Sequence, residues 1–443
     1  MESIFQGWQN IITATRLSEI EHGFDELQVD ILMYTRIRNS FAFLVFLLIL
    51  TVPVAGLAQQ TTSAMRVSVV TPNGTPSTDA IVTVTDTRTG SSRSANVTSA
   101  GSVTLTGLRI GGPYTVKATA MGYSPQTVTD VFVRLGDTFF LPMSLGQSDM
   151  EEVIVTSAAV QTQQLALGPA STYNIEDLQD SPAINRDLRD VIRFDPRIYQ
   201  DAAFVGAIQC AGASPRFNSL TVDGVRMNDN FGLNSNGYPT ERQPFPSDAI
   251  QQVSVELAPF DVQYGGFTGC NINAVTKSGG NEFFGSAFYD YTNDSMKGDK
   301  LEGDDIDNGD YSEKRYGVTL GGPIIKDKLF FFLAYEKLDG VQQFNRGGAD
   351  SGAADTVNGV SVAQLNEIAD IAQSVYGYDV GTFPASLPVD DEKLVAKLDW
   401  QINDNHRASF TYNYNDGFTL SESDSGSSRL SFSNHYYERG AKL

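Results

Sequence analysis

The sequence predicts a mainly β protein in three parts: an N-terminal β-sandwich, a small mixed α/β globule, and the opening strands of an incomplete antiparallel transmembrane β-barrel. Three observations predict it. Period-two runs near the N-terminus are broken by Gly, Pro and Asn turn signals every ~8–12 residues. The chain is rich in β-favouring aromatics, with 26 Phe and 18 Tyr, and carries 40 Gly. Beyond Asn281, alternating segments of about ten residues are joined by connectors that are in turn long and short.

Composition narrows the function classes before any motif is read. With 31 Lys plus Arg against 53 Asp plus Glu, the 443-residue chain carries a net charge of −22. A phosphate backbone would be repelled, so no nucleic-acid partner is expected. Three His and two Cys leave little material for metal chemistry. No nucleophile–base or metal-ligand constellation emerges, so neither an enzyme nor a cofactor is expected.

Tyr34–Ser40 carries Arg36 and Arg38, and Phe41–Leu50 is uninterrupted apolar sequence. Pro53 follows, and Gly56 and Ala58 place small residues before Gln59, as a secretory signal requires. Phe41–Ala58 approaches spanning length, which is the alternative reading as an anchor. Pro53 and the small residues favour cleavage between Ala58 and Gln59. Residues 1–32 are mixed polar sequence, so Met33 is the expected start, with 1–32 a non-native extension and 33–58 the signal. Cleavage would remove His22 and leave His406 and His435.

Residues 59–146 read as the sandwich. Met65–Val70 ends at Pro72-Asn73-Gly74, and Ala80–Asp86 at Thr89-Gly90. Val103–Leu105 leads to Gly111-Gly112-Pro113, Tyr114–Ala120 to Gly122-Tyr123, and Phe139–Leu145 closes the module.

Residues 147–170 read as a linker. Within it, Met150–Ala158 sets an acidic pair, Glu151 and Glu152, before the β-branched run Val153, Ile154, Val155 and Thr156. With few neighbours expected to pair it, this run could be adopted as an extra strand by a partner with an open sheet edge. An ordinary linker strand, or the last strand of the sandwich, is the alternative.

The α/β globule is expected over 171–281. Asn185–Phe194 puts Leu188, Val191 and Ile192 on one helical face, ended by Asp195-Pro196. Phe217–Val225, Ile250–Leu257 and Asn271–Lys277 read as strands. Asn228–Pro239 carries Asp229, Asn230, Phe231, Asn234, Asn236 and Tyr238, which could stack on and hydrogen-bond to a ligand. The same composition is what any long turn needs. Cys210 and Cys270 both lie here, and an exported chain favours a disulfide between them. Two buried free thiols, or an unpaired thiol beside the ligand path, are the alternatives; a zinc site lacks accompanying His.

From 282 to 443, strands are expected near 283–292, 314–321, 328–337, 392–402, 406–415 and 428–437. Leu394, Ala396, Leu398, Trp400 and Ile402 alternate with Lys393, Val395, Lys397, Asp399 and Gln401. A half-buried soluble sheet shows the same period. Short turns at Gly322–Asp327 and Asn403–Asn405, between long loops, favour the barrel and put the loops outside. The acidic run Asp299–Glu313 could bind divalent ions at the cell surface, but it lacks EF-hand spacing and reads as a solvated loop.

Several of these motifs resemble known domains. Ala80-Ile81-Val82-Thr83-Val84, Leu108–Val116 and Gly122-Tyr123 are similar to the carboxypeptidase regulatory-like domain, with Ser99-Ala100-Gly101 departing from its usual Asp-containing turn. The helix before a proline, Val222-Asp223-Gly224-Val225, Ile250–Leu257 and the phrases APFDVQYGGFTG and NINAVTKSG resemble the plug domain of TonB-dependent outer-membrane receptors, most nearly the Oar-like branch. Glu151–Thr156 resembles their TonB box.

The resemblance implies a cell outer-membrane receptor with its sandwich in the periplasm and its long loops outside. The plug would fill a lipid-embedded barrel, and an unknown extracellular ligand would bind above it. Glu151, Glu152, Val153, Ile154, Val155 and Thr156 would be gripped by the C-terminal domain of TonB, with its inner-membrane energising complex. The alternative is a surface binding or adhesion protein whose sandwich takes carbohydrate or peptide. Such barrels need about 22 strands, and about six can be placed here. The chain is therefore expected to be the N-terminal part of a longer receptor, or a truncated product.

Overall fold

The computed structural model describes residues 61–442, apart from 136–137, 148–151, 158–162, 166–169, 175–176, 178–179, 181–184, 202–205, 230–236, 258–264, 306–310, 344–345, 352–354, 358, 382–385, 405, 423–429 and 433–435. The expected N-terminal extension, the signal and its cleavage point at Ala58 and Gln59 lie outside the described residues.

Strands β1 (Thr62–Val70), β2 (Ile81–Asp86), β3 (Ser92–Asn96), β4 (Ser102–Arg109), β5 (Gly111–Thr119), β6 (Gln126–Val133) and β7 (Thr138–Ser144) build the sandwich. Period-two side chains from both sheets meet in one core: Met65, Val67 and Val69 of β1 face Val82, Val84, Val116, Ala118 and Val128. The Ser99-Ala100-Gly101 turn closes β4 onto β1. It needs its glycine, because φ there is +68° and a Cβ would stand 2.7 Å from that of Pro76.

The segment expected to be a linker is woven into the sandwich instead. Strand β8 (Val153–Thr156) joins one sheet, in the order β3-β2-β5-β6-β8. Strand β9 (Gln163–Leu165) joins the other, in the order β4-β1-β7-β9. An edge strand leaves a row of donors and acceptors unpaired, and β6 and β7 each present one.

The plug follows with β10 (Ala170–Asn174), helix α1 (Leu188–Ile192), and strands β11 (Ile198–Asp201), β12 (Ala207–Cys210), β13 (Ser219–Val222), β14 (Val225–Arg226), β15 (Ile250–Leu257) and β16 (Cys270–Thr276). Its main sheet runs β10-β15-β16-β13-β14, with β13 parallel to β16. The helix is shorter than expected, starting at the Asp187 cap, but Leu188, Val191 and Ile192 are all buried. Every residue of β16 is buried, so both faces of this central strand are covered. Its polar residues are paired accordingly. Asn271 Nδ2 donates to Glu256 Oε2 at 3.1 Å, and Thr221 Oγ1 donates to Asn273 Oδ1 at 3.0 Å.

The last part holds β17 (Phe284–Asn293), the small hairpin β18 (Lys300–Leu301) and β19 (Asp304–Asp305), β20 (Ser312–Ile325), β21 (Leu329–Gln343), the short pair β22 (Arg346–Gly348) and β23 (Asp355–Val357), helix α2 (Val362–Tyr376), β24 (Ser386–Asn403), β25 (His406–Glu422) and β26 (Tyr436–Lys442). Six of these form one antiparallel sheet in chain order, β17-β20-β21-β24-β25-β26. Among the described residues its first and last strands are not paired with each other. The sixth strand lies later than the expected 428–437; β17 keeps the expected ten residues, and β20, β21, β24 and β25 run to 14, 15, 18 and 17.

This sheet is inside out relative to a soluble one. Val318, Leu320, Leu398, Trp400, Phe410 and Tyr412 point outward and are exposed, whereas Arg315, Glu336, Asp391, Lys393, Lys397 and Asp399 point inward and are buried. An aqueous sheet would pay for both choices. A wall with hydrocarbon outside and a polar filling inside is favoured by both, which excludes the soluble alternative.

Candidate coupling segment and plug–barrel interface

The candidate coupling segment is ordered on the sandwich rather than free. Strand β8 runs parallel to β6, with Val153 opposite Gln126 and Thr156 opposite Thr129. Val155 packs against the sandwich core, while Ile154 is 65% exposed on the outer face. Glu152 Oε1 accepts from Thr127 Oγ1 at 2.5 Å and pairs with Lys117 Nζ at 2.8 Å. The Lys117 hydrogen bond, with that of Thr127, holds the Glu152 carboxyl below its usual range. Glu151 lies outside the described residues. The expectation that this run has few neighbours is therefore corrected, because the bare edge of β6 takes it up.

The loop expected to contact a ligand divides. Asn230, Phe231, Asn234 and Asn236 lie outside the described residues, and Asp229 is half-buried. Tyr238 is only 5% exposed. Its hydroxyl donates to Asp187 Oδ1 at 2.8 Å, and the Arg189 guanidinium stands 4.7 Å above its ring. Both ends of the side chain are thus engaged within the plug, which corrects its reading as a ligand contact. Burial pushes Asp187 upward, but the Arg189 charge and hydrogen bonds outweigh it and hold the carboxyl below its usual range. Burial first, and then the Asp187 carboxylate, push the Tyr238 phenol well above its own.

Cys210, ending β12, and Cys270, opening β16, are joined in a disulfide with their Cα atoms 5.8 Å apart. The link spans 60 residues of sequence.

The plug meets the inner wall mainly through polar contacts. Asp223 sits in the tight turn of the β13–β14 hairpin, with φ of 48°, followed by Gly224 at 80°. Its carboxylate accepts from Thr276 N at 2.9 Å, while Lys397 Nζ from the wall reaches Asp223 Oδ2 at 3.3 Å and Thr276 Oγ1 at 3.1 Å. Higher up, Lys393 Nζ lies 3.4 Å from Glu336 Oε1 and 3.0 Å from Asp391 Oδ2. Glu336 Oε2 in turn accepts from Ser247 N of the plug at 3.2 Å. Arg315 donates to the Asn185 carbonyl, and Asn413 Nδ2 to that of Pro244 at 3.1 Å. Among the described residues, the wall adds Phe332, Ala334 and Val395 to the buried plug core. The alternation of Lys393, Lys397 and Asp399 marks a polar face in sequence, but nothing local there names Asp223, Thr276 or Ser247 as partners.

The sandwich is tied to the same wall. Arg109 Nη2 pairs with Asp399 Oδ1 at 3.5 Å.

Comparison with known proteins assigns the same three parts. Residues 64–145 match the carboxypeptidase regulatory-like domain, 162–269 the TonB-dependent receptor plug domain, and 275–348 an outer membrane beta barrel domain. The chain is 30% identical over 215 residues to the TonB-dependent transporter Oar of Myxococcus xanthus, covering 46% of this chain and 18% of Oar. It is 29% identical over 198 residues to the probable TonB-dependent siderophore receptor PirA of Acinetobacter baumannii, covering 42% of this chain and 24% of PirA. The chain thus spans less than a quarter of the length of the curated relatives it matches. The crystal structure of the A. baumannii PirA receptor aligns with a TM-score of 0.39 at 20% identity, over 58% of this chain and 32% of that one. Regulatory-like sandwich, plug and barrel strands, matched one by one and in this order, make the chain similar to the N-terminal part of TonB-dependent receptors of the outer membrane.

Proposed function

We propose that the protein is an uptake receptor energised from the periplasm. The plug occludes the barrel, an extracellular ligand binds above it, and the C-terminal domain of TonB adds Glu151–Thr156 to its own sheet and pulls. Backbone hydrogen bonds along an added strand bear such a load, whereas solvated side-chain ion pairs contribute little. The observation that carries this reading is the plug–wall seam. It is built from lysines, carboxylates and amides around Lys397–Asp223 and Glu336–Ser247, contacts that water can replace when the plug shifts. A wall bonded through a wide apolar face would resist separation far more strongly.

Functional boundaries follow from the same reading. A signal over 33–58 directs export, 59–146 is the periplasmic sandwich, 147–170 carries the coupling segment, 171–281 is the plug, and 282–443 opens the barrel. The A. baumannii relative is named a probable siderophore receptor, and an iron-chelate class is the first ligand to try here. Deleting residues 151–156 should abolish uptake while surface binding of ligand persists. A deletion strain that takes up ligand normally would mean that this segment does not couple uptake, and a wild type that binds ligand but takes up none would leave an adhesive role as the better account.

A further inference from the structure

The contacts of β8 with the sandwich carry an inference about when the coupling segment is available; it rests on the reading of Val153–Thr156 as that segment. Parallel strands alternate in which backbone groups face each neighbour. Val153 N donates to Pro125 O at 3.1 Å, so Val153 and, two residues on, Val155 face β6. A partner arriving on the outer edge would find only the backbone of Ile154 and Thr156 within the strand. To reach the rest, it must take the place of β6.

The segment is pinned at both ends as well as along its length. At the start are the Lys117–Glu152 pair and the Thr127 hydrogen bond. At the end, Ser157 Oγ donates to Asp130 O at 2.6 Å. Just before it, Ser124 and Gly146 exchange backbone hydrogen bonds, and Ser124 Oγ donates to Gln147 O at 2.7 Å. All of these partners belong to the sandwich. Each tie is individually weak: the ion pair is partly exposed on both sides, and the ladder is four residues long. A holder of this kind is reversible.

We infer that the regulatory-like sandwich stows the coupling strand, so that the edge of β6 and TonB compete for Val153–Thr156 and the sandwich sets how readily the receptor is engaged. Competition of this kind lowers apparent affinity by the fraction of time the strand is released. The domain thereby acts as a regulatory element for coupling, with Lys117, Thr127 and Asp130 as the residues that hold the strand.

The test measures binding of a purified TonB C-terminal domain to the full chain in detergent. Its companions are a synthetic peptide of residues 150–158, the variant K117Q/T127V, and T127C/I154C with and without a short thiol-to-thiol crosslinker. The peptide should bind more tightly than the full chain. K117Q/T127V should recover up to about tenfold of that difference, and the crosslinked chain should lose binding that its uncrosslinked control retains. Hydrogen exchange should show faster exchange at the Val153 and Val155 amides in K117Q/T127V while Val67 and Val116 stay protected, which separates release from unfolding. If the peptide binds but wild type, K117Q/T127V and crosslinked chain match it, the stowage inference is overturned and the coupling segment stands. Should the peptide itself not bind, the segment is not the coupling peptide and both readings fall.

Discussion

The sandwich and the six-stranded sheet are written in the same period-two code and solve opposite problems. In the sandwich, Val67, Val82 and Val116 point inward and are fully buried, while Thr83, Lys117 and Ile154 lie on the other face. In the barrel sheet, Lys393, Lys397 and Asp399 take the buried side and Leu398, Trp400 and Phe410 the exposed one. Alternation therefore specifies a strand with two unlike faces and leaves open which face is inside. What decides it is the medium: water surrounds the first sheet, and hydrocarbon the outer face of the second.

Substitution can break this contrast. The largest effect is expected for Val116→Asp, which places an unpaired charge in the sandwich core and should cost more than about 4 kcal/mol. Limited proteolysis should then digest the sandwich and spare the plug. Protection equal to wild type would show that this sheet is not apolar-inside.

A sharper comparison sets Leu398→Arg against Ile81→Arg, since the two side chains are 42% and 44% exposed. On the barrel wall the arginine should cost about 2–4 kcal/mol if near the bilayer midplane. At the sandwich surface the change should stay within about 0.5 kcal/mol. Recovery of each variant in the outer-membrane fraction reads the difference. Indistinguishable recovery would mean that the two exposed faces meet the same solvent.

The plug supplies the smallest effect and a pH signature. Asp195 accepts from Arg197 Nε and from Ser171 Oγ, at 2.8 and 2.6 Å, fastening β10 to the turn after α1. The Arg197 hydrogen bond outweighs burial and lowers its pKa to about 2, from an ordinary value of 3.8. A depressed carboxylate stabilises the fold above its unfolded pKa and loses that contribution as pH falls through its folded one. About 2 kcal/mol should therefore be present at neutral pH and vanish between about pH 4 and pH 2. Asp195→Asn should melt lower than wild type at pH 6, and the gap should close across that window. A gap independent of pH would assign the aspartate a purely geometric role.

Much of the fold was legible because local patterns coincide with tertiary demands. Ile250–Leu257 forms a strand over the expected residues, and Asp223-Gly224 forms the hairpin turn its composition requires. The failures share one cause. Ser92–Asn96 lacks an apolar face and so sends no signal, although it pairs fully with β2. The exposed run Val153–Thr156 looks unpartnered because its partner lies in a parallel register at Gln126–Thr129, which no hairpin signal can announce. Tyr238 sits in an Asn- and Gly-rich stretch whose composition suggests a surface, yet Asp187 and Arg189, remote in sequence, draw it into the interior. Burial and long-range pairing belong to the folded chain as a whole.

The link between Cys210 and Cys270 also redraws the route by which tension would travel. A pull entering from β8 would first straighten β10, α1, β11 and β12, up to Cys210. There the load would leave the main chain and cross the sulfur bridge to the head of β16. The intervening residues, at most ~200 Å of contour, would never be drawn out, and β13 and β15, which flank β16 on either side, lie within them. Force would arrive at the middle of the sheet with both neighbouring strands still in place, so the plug could give way only by shearing at its centre or by leaving the barrel in one piece.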